Sequence, residues 1–405
     1  MKILMLTPYV PYPPSSGGQV RTYNLLKYLS KNNKITLVCL YKSPEEKQYL
    51  DKLKPYCRSV YFCQRSPNPW SLENIFKSIF TLKPFLIVRN YSQEAESILK
   101  NLLEKEKFDI IHAETFYIMP HLPKTDIPIF LLEQTIEYQV YQHFVNSLPF
   151  FVKPFFSLDI LKLKIWEKDY WKKAYLVGAV SNTDKQIINN LEKGIKPVII
   201  PNGAGEDMIV DSLKPKNLDE PIVLFQGNFY WLQNTEAVNY LIKRIIPLAK
   251  KILPNVKFVI AGQNAAKKIG QIKETNLEII DIAPDQNQEV RKIYQQATLF
   301  IAPIFGPGGT RLKILAAMAA GIPVISTKTG VTGLTVKNNH NVIIANNPKK
   351  FIKSIEMVIK NKRLYEKIRT NAHELIKKQY NWEIIAKKLE AIFIRLSLPS
   401  IRVII

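Results

Sequence analysis

The stretch "ATLFIAPIFGPGGTRLKILAAMAAGIPVIST", residues 297–327, decides the fold class. Its first part, "ATLFIAPI", is apolar without alternation, as a strand covered on both faces must be. "FGPGG" ends that run. "TRLKILAAMAA" then sets Leu312, Leu315, Ala316 and Ala319 at the i, i+3, i+4, i+7 spacing of a helix face, and Ile314 and Met318 widen it. This predicts a largely buried helix. Gly321 and Pro323 stop it, and "PVIST" resumes the strand character. Strand, turn, buried helix and strand in this order are the crossover of a parallel sheet.

The same alternation recurs along the chain. Apolar runs stand at 2–7, 34–41, 108–113, 128–133, 174–180 and 197–200, then at 221–226, 256–261, 277–280, 297–304, 323–327 and 341–345. Between the two series lies "IPNGAGEDMIVDSLKPKNLDE", residues 200–220, with the turn formers Pro201, Asn202 and Gly203. The reading is α/β, with two doubly wound Rossmann-like domains. The first takes residues 1–200 together with a closing helical segment, 382–405; the second takes 201–381. In that segment Ile384, Ile385, Leu389, Ile392 and Phe393 fall at helical spacings.

Composition narrows the function classes. Apolar residues make up 46% of 405, which excludes disorder. No apolar run reaches the roughly 18 residues of a membrane-spanning helix, and "MKILMLTPYV" reads as a first strand, not a secretory signal. Cys39, Cys57 and Cys63 lack metal-ligand spacing and suit reduced thiols in a cytoplasmic protein. The charge of +23, from 57 basic and 34 acidic side chains, attracts polyanions. The basic residues do not gather into one arm and no nucleic-acid motif is present, so nucleic acid is not an expected partner.

Ligands of such sheets bind beyond the carboxyl ends of the strands. After 297–304, Gly308 and Gly309 let backbone approach a ligand, the next helix offers unpaired N–H groups, and Arg311 and Lys313 add two cations. That turn, with Thr310 in it, suits a diphosphate; the plainer alternative is a strand-to-helix turn with two solvated cations. After residues 2–7, "PYVPYPPSSGGQVR" repeats the logic with Gly17, Gly18 and Arg21. It is not G-x-G-x-x-G, and no acid follows at the distance a dinucleotide site requires.

These segments in this order resemble the retaining, nucleotide-sugar-dependent glycosyltransferases of the GT-B fold, family four. The resemblance rests on "PPSSGGQVRTYNLLKYLS", "FDIIHAE", "EQTIEYQVY", "IPNG", "FQGNFYWLQNTEAVNYLIKRIIP", "FVIAGQN", the opening stretch and "NWEIIAKKLEAIF". It implies two domains facing across a cleft, with the closing helix crossing back to the first. It implies a nucleotide-diphosphate sugar held by the second domain, at Gly227, Asn228, Gly308, Gly309, Thr310, Arg311 and Lys313, with Gly17, Gly18 and Arg21 reaching it from the first. The acceptor is a glycan or a lipid-linked group, as in cell-envelope polysaccharide synthesis. His112, Gln134 and Glu137 fall at the reacting centre. No metal or other cofactor is implied, because cations and helix dipoles neutralise the leaving diphosphate.

Five positions depart from the family pattern. Gly308 and Ala316 stand where two glutamates are usual, and Gln134 stands where a histidine opens the "HNxE" segment. Asn228 and Gln233 occupy the places of a phosphate-binding Arg and Lys. Loss of the Ala316 acid removes a hydrogen bond of roughly 1.5–3 kcal/mol. The chemistry survives it, since this mechanism uses no enzymic nucleophile; a catalytically degenerate nucleotide-sugar binder acting as a partner subunit is the alternative. His112 and Glu137 also admit purely structural roles, and Tyr230 and Trp231 either line a nucleotide pocket or pack. Residues 150–173, "FFVKPFFSLDILKLKIWEKDYWKK", mix Phe, Trp and Leu with lysines, which makes an anionic membrane surface a candidate partner at the inner face of the cell membrane.

Overall fold

The computed structural model describes residues 1–270, 272 and 274–398. The chain divides into two compact units, residues 1–201 with 385–405, and residues 202–384.

In the first unit seven strands form one parallel sheet: β1 (Lys2–Thr7), β2 (Lys34–Tyr41), β3 (Ser59–Gln64), β4 (Ile110–Glu114), β5 (Ile129–Glu133), β6 (Leu176–Ala179) and β7 (Val198–Ile199). Their order is β3-β2-β1-β4-β5-β6-β7. In the second, β8 (Ile222–Gln226), β9 (Lys257–Gly262), β10 (Leu277–Asp281), β11 (Leu299–Ala302), β12 (Val324–Ser326) and β13 (Ile343–Ile344) are ordered β10-β9-β8-β11-β12-β13. Parallel neighbours need crossovers, and most successive strands are joined through helical segments. Each sheet reverses its winding direction once, between β1 and β4 and between β8 and β11. Such a reversal opens a crevice at the carboxyl ends of the two strands.

The apolar runs become strands because their residues are covered on both faces: β1, β2, β4 and β9 are buried along nearly all their length. β3 is not among the runs read from the sequence. It is an edge strand, and of its residues only Cys63 is fully buried. The helix after β11 spans Leu312–Ala319, so it opens later than Gly309 and leaves residues 305–311 as an irregular turn. Ile314, Leu315, Ala317, Met318 and Ala319 are buried, as the wide apolar face requires.

The closing helix is Trp382–Ser397. Ile385, Leu389 and Phe393 are buried, whereas Ile384 faces outward. From Ile385 onward it belongs to the first unit, where Glu390 accepts hydrogen bonds from Asn33 (2.6 Å) and Asn32 (3.2 Å). Residues 399–405 of the segment read as 382–405 lie outside the described residues.

Candidate functional site

In the second unit the crevice between β8 and β11 is built from residues that follow those strands. Gly227 continues β8, its N–H bonded to Ala261 O (3.0 Å). Asn228 ties three pieces together: its Nδ2 donates to Gln263 Oε1 (2.8 Å), its Oδ1 accepts from Tyr230 N (3.0 Å) and its carbonyl from Asn234 Nδ2 (2.6 Å). Lys313, from the first turn of the buried helix, brings its Nζ to Asn234 Oδ1 (2.6 Å), over the Phe225 ring (4.8 Å) and beside Gly227. Burial, then the charge of Arg311, push the Lys313 ammonium down to about 7. Burial disfavours a charge that has no counter-ion.

The turn before that helix depends on Gly308. Its φ is +142°, and a Cβ would overlap the Arg311 guanidinium. Arg311 folds back to donate to Gly306 O (2.8 Å), and Gln233 Nε2 donates to Pro307 O (3.3 Å). Arg311 thus braces the turn as well as charging it. Thr310 Oγ1 is buried without a hydrogen-bond partner among the described residues. Gly309 and Ala316 are half-buried. Tyr230 (72% exposed) and Trp231 (55%) do not pack into the core.

In the first unit the crevice between β1 and β4 carries a continuous polar network. Arg21 Nε lies 3.5 Å from Glu114 Oε1, and both side chains are fully buried. His112 Nε2 is 2.8 Å from the same oxygen. Glu114 Oε2 accepts from Gln134 Nε2 (2.6 Å), which also reaches Tyr9 Oη (2.7 Å). Tyr9 bonds to Thr22 (3.0 Å) and covers Gly18 at the start of the helix Gly17–Leu29; Gly17 is exposed. Burial pushes the Glu114 carboxyl up, but Arg21, His112 and Gln134 together hold it below the usual carboxylate range. Burial and Glu114 raise the Tyr9 phenol, so it stays protonated.

Two site expectations need correction. Arg21 does not present its charge to a phosphate: it is fully buried, paired with Glu114, and donates to the carbonyls of Ile200 (3.2 Å) and Pro201 (3.1 Å). His112 lies within β4, not beyond it. Its ring is fully buried against Phe130 (5.6 Å) and Phe393 (5.4 Å), with Nε2 turned to Glu114. Gln134 and Glu137 both follow β5 at the open edge. The Glu137 amide is capped by Glu167 Oε1 (2.8 Å), and burial lifts the Glu137 carboxyl to about 7. Glu133 rises to about 8 by burial, although Trp171 Nε1 donates to it (2.9 Å). Tyr9 and Glu114 carried no signal in the sequence; only the adjacency of β1 and β4 reveals them.

Residues 220–361 match the family described as glycosyl transferases group 1. Sucrose-phosphate synthase from Thermosynechococcus elongatus superposes with a TM-score of 0.74 over 98% of this chain and 99% of its own, at 16% identity. Anabaena HepE in complex with UDP and glucose does so with 0.66 over 97% and 99%, at 13% identity. The fold is GT-B. Staphylococcus aureus TarM, in complex with Fondaparinux, alpha-GlcNAc-glycerol and UDP, shares the GT-B arrangement with a TM-score of 0.68 over 97% of this chain and 100% of its own, at 12% identity. An uncharacterized 44.6 kDa protein in the cps region of Klebsiella pneumoniae is 25% identical over 401 residues, which cover 94% of this chain and 96% of that protein. The family match and the GT-B neighbours together support a glycosyltransferase.

Proposed function

We propose that this protein transfers a sugar from a nucleotide-diphosphate donor to a glycan or lipid-linked acceptor, retaining the anomeric configuration and needing no metal, as in family four. The observation that carries the reading is the second-unit crevice. There an irregular Gly308–Arg311 turn, a helix start and the buried Lys313 ammonium converge inside the region matched to glycosyl transferases. A diphosphate bound there receives helix N–H groups and two cations. That charge stabilises the leaving diphosphate as the sugar–oxygen bond breaks. An oxygen of the leaving phosphate then takes the acceptor hydroxyl proton on the same face, so the acceptor attacks from the side the donor leaves and configuration is kept. HepE and TarM, described with UDP, support uridine diphosphate as the leaving group, and the cps-region relative supports polysaccharide assembly.

A thermal-shift panel of nucleotide-diphosphate sugars tests the donor assignment. A UDP-sugar raises Tm by mass action, Arg311→Ala or Lys313→Ala removes the shift, and EDTA leaves turnover unchanged. No shift with any donor, or a shift indifferent to both substitutions, defeats the assignment.

Peripheral association with an anionic membrane belongs to the same reading. Leu72, Phe76, Ile79, Phe80 and Leu82 are exposed on and just after the helix Leu72–Phe80, among Lys77 and Lys83. Trp166 Nε1 bonds Leu82 O (3.0 Å), joining this segment to the helix Lys153–Lys173, where Leu158, Leu161 and Ile165 are also exposed. Apolar side chains ringed by lysine suit an anionic bilayer surface. Among the described residues no helix is long and apolar enough to cross a membrane. Sedimentation with phosphatidylglycerol vesicles, lost in Phe76→Ser/Phe80→Ser, is the expected behaviour.

A further inference from the structure

Two guanidinium groups stand at the carboxyl edge of the first sheet outside any ion pair among the described residues. Arg65 follows β3, and Arg89 lies on the helix Phe85–Asn90. Among the described residues neither is in an ion pair, and the Nε of each is buried without a hydrogen-bond partner. Arg65 donates only to Asn90 Oδ1 through its side chain. Among the described residues Arg89 has no side-chain hydrogen-bond partner; it lies over the rings of Phe85 (5.8 Å) and Tyr141 (5.9 Å), which fix its plane.

The two charges are close enough to oppose each other: burial, and further down the order Arg89, lower the Arg65 ionisation. Arginine cannot shed the proton in a protein, so both charges persist. The carboxyl that faces Arg89 is Glu137, which burial lifts to about 7. At neutral pH it is part-protonated, and Glu46, whose charge reaches Arg65, is taken up by the Lys42 amide (2.8 Å) and makes no ion pair with Arg65 among the described residues. The Tyr141 ring packs against Arg89, and the Tyr117 phenol lies within reach of the charge of both arginines. Burial raises both phenols, Tyr141 to about 12, and Arg89 pulls against that rise in each. Both therefore keep their O–H and can donate it. Buried unpaired donors cost free energy that a native structure recovers elsewhere. Two fixed guanidinium forks with two phenol donors match a phosphate, whose oxygens they can address bidentately.

We propose that Arg65 and Arg89, with the Tyr117 and Tyr141 hydroxyls, bind a phosphate group carried by the acceptor. The assignment rests on the glycosyltransferase reading for the word acceptor, and on the arginine geometry for the phosphate. It narrows the acceptor class from glycan or lipid to one bearing a phosphate monoester or diphosphate next to the part that receives the sugar.

The experiment uses the full chain with 1 mM UDP present, so that added phosphate does not report on the second unit. Farnesyl phosphate, farnesol and inorganic phosphate are titrated by calorimetry. Farnesyl phosphate should bind at least tenfold more tightly than farnesol, and inorganic phosphate at least tenfold more weakly than farnesyl phosphate. In Arg65→Gln/Arg89→Gln the preference for the phosphate over the alcohol should fall to within twofold, with UDP affinity unchanged. Arg89→Gln alone removes no hydrogen bond that the protein makes for itself, so it should fold normally and lower the preference at least threefold. Equal binding of phosphate and alcohol by the unaltered protein, an unchanged preference in the Arg89 variant, or inorganic phosphate binding as tightly as the lipid overturns the proposal. Failure of UDP to bind would instead defeat the donor assignment, while the phosphate-to-alcohol ratio still reports on the arginines.

Discussion

Under the proposed function, Lys313 is the residue on which donor binding turns. Its ammonium is held at about 7 by burial and by Arg311. A bound diphosphate adds two negative charges beside it and raises that value, so binding above pH 7 requires uptake of a proton. Donor affinity is therefore flat below pH 7 and falls above it, by up to about tenfold per pH unit. Isothermal titration with UDP between pH 6 and 9 measures this. Lys313→Met should bind at least tenfold more weakly at pH 6 and show a flat profile; a flat profile in the unaltered protein would contradict the assignment. Arg21 is the opposite case, a cation used for the fold. Removing it leaves the buried Glu114 carboxylate without its guanidinium partner. Arg21→Met should cost about 3–5 kcal/mol in urea unfolding, and Arg21→Met/Glu114→Gln should cost clearly less.

At the scale of elements, the turn side of the second crevice was readable because its parts are contiguous. Strand, turn and helix follow one another in 297–327, and period and punctuation alone place Gly308 and Lys313 together. The first crevice was not. Tyr9 follows β1, Glu114 ends β4 and Gln134 follows β5, and they gather only because the sheet order sets β1, β4 and β5 side by side. Nothing in a run of apolar residues states that order. The same limit explains Arg21 and His112: a cation in the first turn of a helix, and a histidine at a strand end, look accessible until their neighbours are known. Backbone contact between elements is equally silent in sequence. Gly262 closes β9 at φ +147°, and a Cβ there would overlap the carbonyl oxygen of Gly227. Gly262→Ala must push β9 from the end of β8 and shift Gly227 against Lys313. The expected result is a loss of about 2–4 kcal/mol, with the UDP shift lost as well. Retained stability measured by chemical unfolding would show that the β8–β9 ends are looser than this packing.

At the scale of the molecule the two units store opposite kinds of buried charge. In the first, Glu133, Glu137 and Glu167 are all raised by burial, the first two to about 8 and 7. Between the unfolded carboxyl value near 4.3 and pH 8 the folded unit binds more protons than the unfolded chain, so its stability falls as pH rises through that window. His121, lowered by burial, opposes this with one proton below its unfolded value. In the second unit Lys216 and Lys313 are lowered by burial to about 8 and 7. Their folded forms shed protons that the unfolded chain keeps to about pH 10.4, so that unit gains stability from pH 7 upward. Calorimetry between pH 5 and 9 should then show two transitions moving in opposite directions with alkali, the first unit's Tm falling and the second's rising. Glu133→Gln should flatten the falling transition and Lys313→Met the rising one, each leaving the other in place. One transition, or two that move together, would mean that these buried charges do not set the pH response of either unit.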